Sequence, residues 1–356
     1  MSTEQKKILY FVEAMGGGVF TYIVDLANEL ADENDIYIAY ALRPQTPPDY
    51  REYFDKRIHL IEVKNFGREI NLWKEFKAIY EVRKIAAEVK PDIIHLHSSK
   101  AGLIGRVAFC GSNLPLYYTP HGYSFLMQSY KPLKRFLFRI IEFLCAKSKS
   151  VTISCSFGEH QETLKLTKRA AYVNNAVNTD KLQKLTAKIE KKEHPFTVFT
   201  LGRICYQKKP EIFNRIAVAM PDIKFLWIGD GELACELKAP NIEVTGWIER
   251  DRALSMAVNA DMFLLTSLWE GLPMSLLEAM FMKKPCAVSD VIGNHDVIHN
   301  GDNGYVCQSV NDFIAAIGEV KAGKAERYVD KAYHDIKTLY NTRTQAERYS
   351  EIYHKI

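Results

Sequence analysis

The chain has 356 residues, 47% of them hydrophobic and 25% charged, which is ordinary for a soluble globular protein of two domains or three small ones. It contains no run of eighteen apolar residues, so no transmembrane helix is expected, and its formal net charge of +4 is too mild to imply a nucleic-acid partner. Its seven cysteines form no Cys-x-x-Cys pair and are odd in number, pointing to reduced core residues of a cytosolic protein rather than to disulfides or zinc ligands.

Residues 6–12, with Ile8, Leu9, Tyr10, Phe11 and Val12 in a row, are too short an apolar run for a signal-peptide core and fit a first β-strand. Gly16-Gly17-Gly18 follow, then a helical pattern through Val19, Tyr22, Ile23, Leu26 and Leu30. A glycine loop between strand and helix lets backbone come close to a phosphate; it is not Gly-x-Gly-x-x-Gly, and a simple tight turn is the alternative. Strands are expected at 36–41 and 57–63, separated by a loop with Pro44, Pro47 and Pro48. Trp73, Phe76, Ile79, Tyr80 and Ala87 then suit an amphipathic helix that ends before Pro91. Residues 91–97 form another strand, a helix with Gly102 and Gly105 follows, and the strand at 116–119 runs into Pro120-His121-Gly122. This alternation predicts a parallel α/β sheet. Because ligands of open α/β sheets bind outside the carboxyl ends of strands, His121 is a candidate site residue.

Residues 123–149 are unusual. Pro132 can open a helix whose apolar positions are Leu133, Leu137, Ile140, Ile141 and Leu144. Lys131, Lys134, Arg135, Arg139, Lys147 and Lys149 are basic, and Glu142 is the lone acid within that helix. Basic residues beside Phe138 and other large apolar side chains match an interfacial membrane helix; a packed core helix with a solvated basic face is the alternative. Lys131, Lys134, Arg135, Phe138 and Arg139 are thus candidates for contact with an anionic membrane or an acceptor. A strand at 150–154, a helix at 158–164, a strand at 171–176 and a polar helix at 181–194 complete the first half.

The second half begins a new sheet at 196–201. Gly202-Arg203-Ile204-Cys205-Tyr206-Gln207-Lys208 follows that strand, with two cations on one loop. A departing diphosphate needs its growing charge offset, and fixed cations do that. Residues 223–228 end in Gly229-Asp230-Gly231-Glu232, and Trp247 stands further on, suited either to stacking on a base or to a core. The strand at 261–265 leads into 267–280, SLWEGLPMSLLEAM. Gly271 breaks the chain and Pro273 suits the first turn of a helix. Glu270 and Glu278 bracket that turn, about 12 Å apart along a helix. A helix N-terminus between them favours an anion. Hydroxyl acceptors at both ends with a phosphate in the middle describe a nucleotide sugar.

The EGLPMSLLEAM string, the His121-Gly122 pair, GRICYQK at 202–208, GDGE at 229–232 and NNAVNTDKL at 174–182 together resemble the retaining glycosyltransferases of family 4. The resemblance implies the GT-B fold: an α/β protein of two Rossmann-like domains with parallel sheets facing across a cleft. It places an acceptor-binding domain at 1–177, a nucleotide-sugar domain at 178–335 and a last helix at 336–356 that crosses back to the first domain. It implies that Glu270 binds the donor sugar and Glu278 the ribose, that Arg203 and Lys208 neutralise the diphosphate, and that His121 lies near the transferred sugar. Gly16, Gly17, Gly18, Gly202, Gly229, Gly271, Leu272, Met274 and Ser275 complete the expected donor site. The implied reaction moves a sugar from a nucleotide sugar, UDP-linked by preference, to a glycan or polyprenyl-linked acceptor in cell-surface polysaccharide synthesis. It retains configuration and needs no metal and no cofactor. The enzyme would be cytoplasmic and peripheral on the inner face of the membrane. Three departures from the family pattern stand out: Lys209 replaces a glycine, Pro273 lacks an amide that some relatives use, and Gly293-Asn294-His295 replaces a glycine-rich turn. A sugar-nucleotide 2-epimerase of the same fold and a non-catalytic nucleotide-sugar-binding subunit are the rival readings.

Overall fold

A computed structural model describes residues 5–43, 46–67 and 72–355; Pro44 of the expected loop and the terminal Ile356 lie outside them. The chain divides into two compact units. One comprises the residues up to Leu126, Tyr130–Asn175 and those from Thr342 on; the other comprises Met127–Ser129 and Ala176–Asn341.

The first unit is built from β1 (Lys7–Met15), α1 (Gly17–Leu30), β2 (Asp35–Leu42), β3 (His59–Glu62), α2 (Leu72–Val89) and β4 (Ile93–His97). It continues with α3 (Ser99–Ala108), β5 (Leu116–Thr119), α4 (Pro132–Cys145), β6 (Val151–Ser154), α5 (Phe157–Leu164) and β7 (Ala170–Tyr172). The strands form one parallel sheet in the order β3-β2-β1-β4-β5-β6-β7. Alternation along β1 sends Ile8, Tyr10 and Val12 into a core under α1, and Leu9 and Phe11 into a core under α2 and α3. The strand order reverses between β1 and β4. The carboxyl ends of those two strands, at the Gly16–Gly18 loop and at His97, therefore mark the unit's switch point.

The second unit runs α6 (Thr179–Thr186), β8 (Thr197–Leu201), α7 (Pro210–Ala219), β9 (Lys224–Ile228), β10 (Ile242–Val244), α8 (Arg250–Val258) and β11 (Met262–Leu265). It then has α9 (Met274–Phe281), β12 (Cys286–Ser289), β13 (Tyr305–Cys307), α10 (Val310–Lys321) and α11 (Glu326–Leu339). Its parallel sheet has the order β10-β9-β8-β11-β12-β13, so the switch point falls between β8 and β11. Phe199 and Phe263 pack under α8 and α9, while Val198, Met262 and Leu264 pack under α7 and α10.

The last helix, α12 (Thr342–His354), belongs to the first unit and packs on α1. The last helix thus begins at Thr342 rather than at 336, after a break at Tyr340 and Asn341 that ends α11. A buried polar chain seats α12. Tyr349 bonds Tyr22 at 2.5 Å, and Tyr353 bonds His95 Nδ1 at 2.6 Å, while His95 Nε2 meets Thr119 Oγ1 at 2.9 Å. The hydroxyls of Tyr22, Tyr349 and Tyr353 and both His95 ring nitrogens each have a partner in this network, as burial requires.

Two other expectations are corrected. Cys155, Cys286 and Cys307 are buried, but Cys110 and Cys235 are exposed and Cys145 and Cys205 are half-buried, so the cysteines are not uniformly core residues. Trp247 is 68% exposed, which removes the core alternative for it.

Candidate active site

In the second unit, the loops after β8 and β11 meet at the switch point and are laced together. Leu268 N–H donates to the Gln207 carbonyl at 2.8 Å, Gln207 Nε2 donates to the Trp269 carbonyl at 2.9 Å, and Thr266 Oγ1 donates to the Lys208 carbonyl at 2.8 Å. This lacing delivers Lys208 to Glu270. Lys208 Nζ lies 2.7 Å from Glu270 Oε1, which also accepts from Ser267 Oγ at 2.6 Å; Gln207 Nε2 reaches Oε2 at 3.2 Å. The Glu270 side chain is 7% exposed and that of Lys208 is 15%. Oε1 is therefore engaged twice and Oε2 once, which leaves Oε2 with acceptor capacity for a ligand hydroxyl.

Arg203 takes a different partner. Its Nε and one terminal nitrogen lie 3.1 and 3.0 Å from Glu232 Oε2, in an exposed pair. Two cations on one loop are thus paired to two separate carboxylates. The exposed pair is cheap to open, since such pairs contribute about 0–1 kcal/mol.

Close backbone approach explains the glycines. A Cβ on Gly229 would sit 2.2 Å from the Gly202 carbonyl oxygen, and one on Gly231 would sit 2.1 Å from that of Ile204. The turns at 202–204 and 229–231 therefore lie backbone against backbone. Gly293, in the segment that departs from the family pattern, has φ +84°, and its Cβ would meet the Gly271 carbonyl oxygen at 2.4 Å. That turn supports the Glu270–Gly271 loop from behind. Lys209, at the family's glycine position, adopts φ +49° and ψ +62°. The left-handed conformation is the physical reason for a glycine there.

Pro273 is the N-cap of α9, not a member of its first turn as expected, and Met274 and Ser275 lead the helix. Their amides belong to the set that has no intrahelical acceptor, and the first turn carries no acidic residue to occupy them. Glu278 lies one turn further on, buried, with Oε1 2.6 Å from Arg250 at the head of α8. Arg250, Ser267, Gln207 and Glu232 were not singled out in the sequence. Gln207, Glu232 and Ser267 lie inside the motifs without having been assigned a role, whereas Arg250 lies far from Glu278 in sequence and carried no signal.

In the first unit, Gly16 is the N-cap of α1 and Gly17 has φ +56°, a conformation that glycine adopts without penalty. His121 and Gly122 both have positive φ, +55° and +94°. Buried Glu159 holds this turn, accepting from Gly122 N–H at 2.7 Å and from Cys155 N–H at 2.8 Å. His121 Nε2 lies 3.1 Å from His97 Nδ1, and its ring meets Tyr22 edge-on. Burial pushes His121 down to about 3 and holds His95 and His97 well below the usual histidine range. Two neutral imidazoles share one N–H between them, so the tautomers of His97 and His121 are coupled. His97, read only as part of a strand, is therefore a neighbour that the sequence did not reveal. His95 and Glu159 likewise gave no sign of their role.

Among the candidate membrane residues, Arg135 and Phe138 turn partly inward. Arg135 Nε donates to the Phe125 carbonyl at 2.9 Å, and Phe138 packs against the core under α2 and α3. Lys131, Lys134 and Arg139 are exposed. Among the described residues, no group of three or more His, Cys, Asp or Glu side chains is arranged to hold a metal ion.

Two parallel α/β units, with cations and carboxylates gathered at a switch point and a helix N-terminus beside them, define the GT-B class of glycosyltransferases. The family pattern described as Glycosyltransferase Family 4 matches residues 16–181, and that described as Glycosyl transferases group 1 matches residues 195–322. The chain belongs to this glycosyltransferase family. It is 28% identical over 313 residues to the UDP-Gal:alpha-D-GlcNAc-diphosphoundecaprenol alpha-1,3-galactosyltransferase of Escherichia coli, covering 79% of each chain. It is 24% identical to CapM, a capsular polysaccharide biosynthesis glycosyltransferase of Staphylococcus aureus, covering 77% of each. Among solved structures, Anabaena HepE in complex with UDP and glucose superposes with a TM-score of 0.79 at 16% identity, over 99% of this chain and 100% of that one. The chain is accordingly a polysaccharide-type glycosyltransferase.

Proposed function

We propose that the enzyme transfers a hexose or N-acetylhexosamine from a UDP-sugar to a lipid-linked or glycan acceptor, with retention of anomeric configuration. The observation that carries this reading is the Glu270 carboxylate, fixed by Lys208, Ser267 and Gln207 beside the N-terminus of α9. A preorganised carboxylate next to a lysine and open amides suits sugar hydroxyls adjoining a diphosphate. The named activity of the Escherichia coli relative supports a UDP-sugar donor and a polyprenyl-diphosphate-linked acceptor.

In this reading Glu270 takes sugar hydroxyls through Oε2, and Glu278 takes the ribose hydroxyls, with Arg250 yielding or sharing its place. Lys208 keeps Glu270 with one N–H and offers its others to the diphosphate, and Arg203 leaves Glu232 to join it. The Gly202 and Gly229 turns, the Gly271-Leu272 segment and the Met274 and Ser275 amides line the donor, as does the Gly16–Gly18 loop. His121 is assigned to the transferred sugar. Protein cations offset the leaving group, so the reaction is proposed to run without a metal or other cofactor, on the cytoplasmic face of a membrane.

Thermal unfolding with UDP, GDP, ADP and dTDP, each with magnesium and with chelator, tests the donor class. A nucleotide at a hundred times its dissociation constant stabilises by about 2.7 kcal/mol. Selective stabilisation by UDP with chelator present is the expected result; strict dependence on magnesium would overturn the metal-free reading. Transfer from UDP-galactose to a diphosphate-linked N-acetylglucosamine lipid, with the product's anomeric coupling read by NMR, then tests acceptor and retention together.

A further inference from the structure

Helix α4 is amphipathic the wrong way round for a core helix. Its inward line is Arg135, Phe138, Glu142 and Cys145, and Glu142 is the residue it buries. That carboxylate is held by Arg106 at 2.7 Å and by Tyr118 OH at 3.0 Å. Outward stand Leu133, Phe136, Leu137, Ile140, Ile141 and Leu144, with Leu133 71% and Phe136 61% exposed. Lys131, Lys134, Arg139 and Lys147 are exposed among them, and the helix shows no exposed acid.

A second helix presents a similar apolar and basic face, with its Lys84 paired to the exposed Glu88 at 3.8 Å. On α2, Trp73, Phe76, Lys77, Tyr80 and Lys84 follow one face at helical spacing, and Trp73, Phe76 and Tyr80 are 80, 67 and 73% exposed. Helix α3 packs against both α2 and α4, and the three run in one direction. Lys100 at the start of α3 pairs with Glu75 at the start of α2 at 2.8 Å, and Arg83 of α2 reaches the Ala108 carbonyl at the end of α3 at 2.6 Å. Ser124, just ahead of α4, bonds Ser99 at the start of α3, whereas Glu142 near the end of α4 meets Arg106. The first turns of α2 and α4 therefore lie at the same end of the layer, the end at which β4 delivers His97.

We propose that α2 and α4 together form a docking surface for an anionic lipid bilayer, inserting apolar side chains at the headgroup boundary while their lysines and arginines meet acidic headgroups. This deepens the membrane placement given above but does not depend on the donor assignment. Charge selects the occupant. A second copy of this chain would bring the same basic residues face to face, whereas an anionic bilayer complements both the charge and the apolar side chains. Each basic residue near such a surface contributes on the order of fivefold in partitioning. No described helix is long and apolar enough to cross a membrane, so the contact is interfacial.

The test is flotation of the full chain with vesicles of phosphatidylcholine alone and with phosphatidylglycerol as one third of the lipid. The expected result is binding to the anionic vesicles at least tenfold stronger than to the neutral ones and weakened by salt. Phe136→Ser with Leu137→Ser, and separately Phe76→Ser with Tyr80→Ser, should each reduce partitioning at least tenfold, because both helices insert. Their circular dichroism melts should match the parent's, since the replaced side chains are exposed. The assay contains no nucleotide, so failure of the donor reading leaves its readout unchanged. Equal binding to both vesicle types, or undiminished binding by either double variant, would overturn the two-helix surface. So would a dimer in solution that the same substitutions convert to monomer.

Discussion

Single residues in this site are constrained by backbone as much as by charge. Gly293 is a direct case: its positive φ and the 2.4 Å approach to the Gly271 carbonyl oxygen leave no room for a methyl group. Gly293→Ala should lower the unfolding temperature of the second unit and cut turnover together, because the displaced loop carries Glu270; a melt and a rate equal to the parent's would remove its supporting role. Lys209 runs the other way. A non-glycine residue at φ +49° costs about 1 kcal/mol. Lys209→Gly should therefore raise the stability of the second unit by roughly that amount in a denaturant titration, and a loss would mean that the side chain contributes contacts outweighing the strain. Lys208→Ala removes the cation from Glu270 and, on the proposed reading, from the diphosphate. Turnover should fall by about a hundredfold or more, the scale of one lost electrostatic stabiliser. Glu270→Gln should also cut turnover while the melt survives, since Ser267 and Lys208 can still donate to the amide oxygen at the Oε1 position. Near-parental kinetics for both variants would count against the proposed roles.

Among elements, α4 is the most informative, because sequence allowed two opposite orientations and the structure has one. Its apolar residues at helical spacing suit burial, yet the buried line carries Glu142. A carboxylate enters the interior only with partners, and Arg106, itself 1% exposed, supplies one together with Tyr118. Removing one partner of a buried pair costs about 3–5 kcal/mol, whereas replacing both with apolar residues is often neutral. Glu142→Ala should therefore destabilise the first unit by that amount, and Arg106→Met with Glu142→Leu should recover most of it, as urea unfolding would show. A single variant no less stable than the parent would mean that the pair contributes nothing to seating α4. The break between α11 and α12 teaches a related point. The apolar spacing of Tyr328, Tyr333, Ile336, Tyr340 and Tyr349 runs on without a glycine or proline, so local signals did not mark the boundary. What separates the helices is where they pack: Ile336 joins the core of the second unit and Tyr349 that of the first.

At the scale of the molecule, the first unit carries a pH dependence that the second does not share through these groups. His95 and His97 are fully buried and neutral, held well below the usual histidine range by desolvation, and His121 follows them. A histidine depressed on folding binds fewer protons folded than unfolded, so its stabilisation is complete above about pH 6.5 and is lost as the pH falls. Between pH 6.5 and 5 the need to keep His95 and His97 neutral should lower the stability of the first unit. Unfolding followed at pH 7 and pH 5 should show that loss, and His95→Gln should shrink it; a transition independent of pH would contradict the neutral cluster. The amino-acid sequence by itself determined the strand–helix alternation, the two parallel sheets and the loops that bear Glu270, Lys208, Arg203 and His121. It could do so because period, glycine turns and strand ends are local properties. It also carried the family likeness, because EGLPMSLLEAM is contiguous. Only the tertiary structure decided which charges meet: that Lys208 holds Glu270 while Arg203 turns to Glu232, that Arg250 faces Glu278, that His97 stands behind His121, and that α4 turns its apolar side out. Those choices depend on residues far apart in the chain, brought together by strand order and by which groups could be buried with a partner.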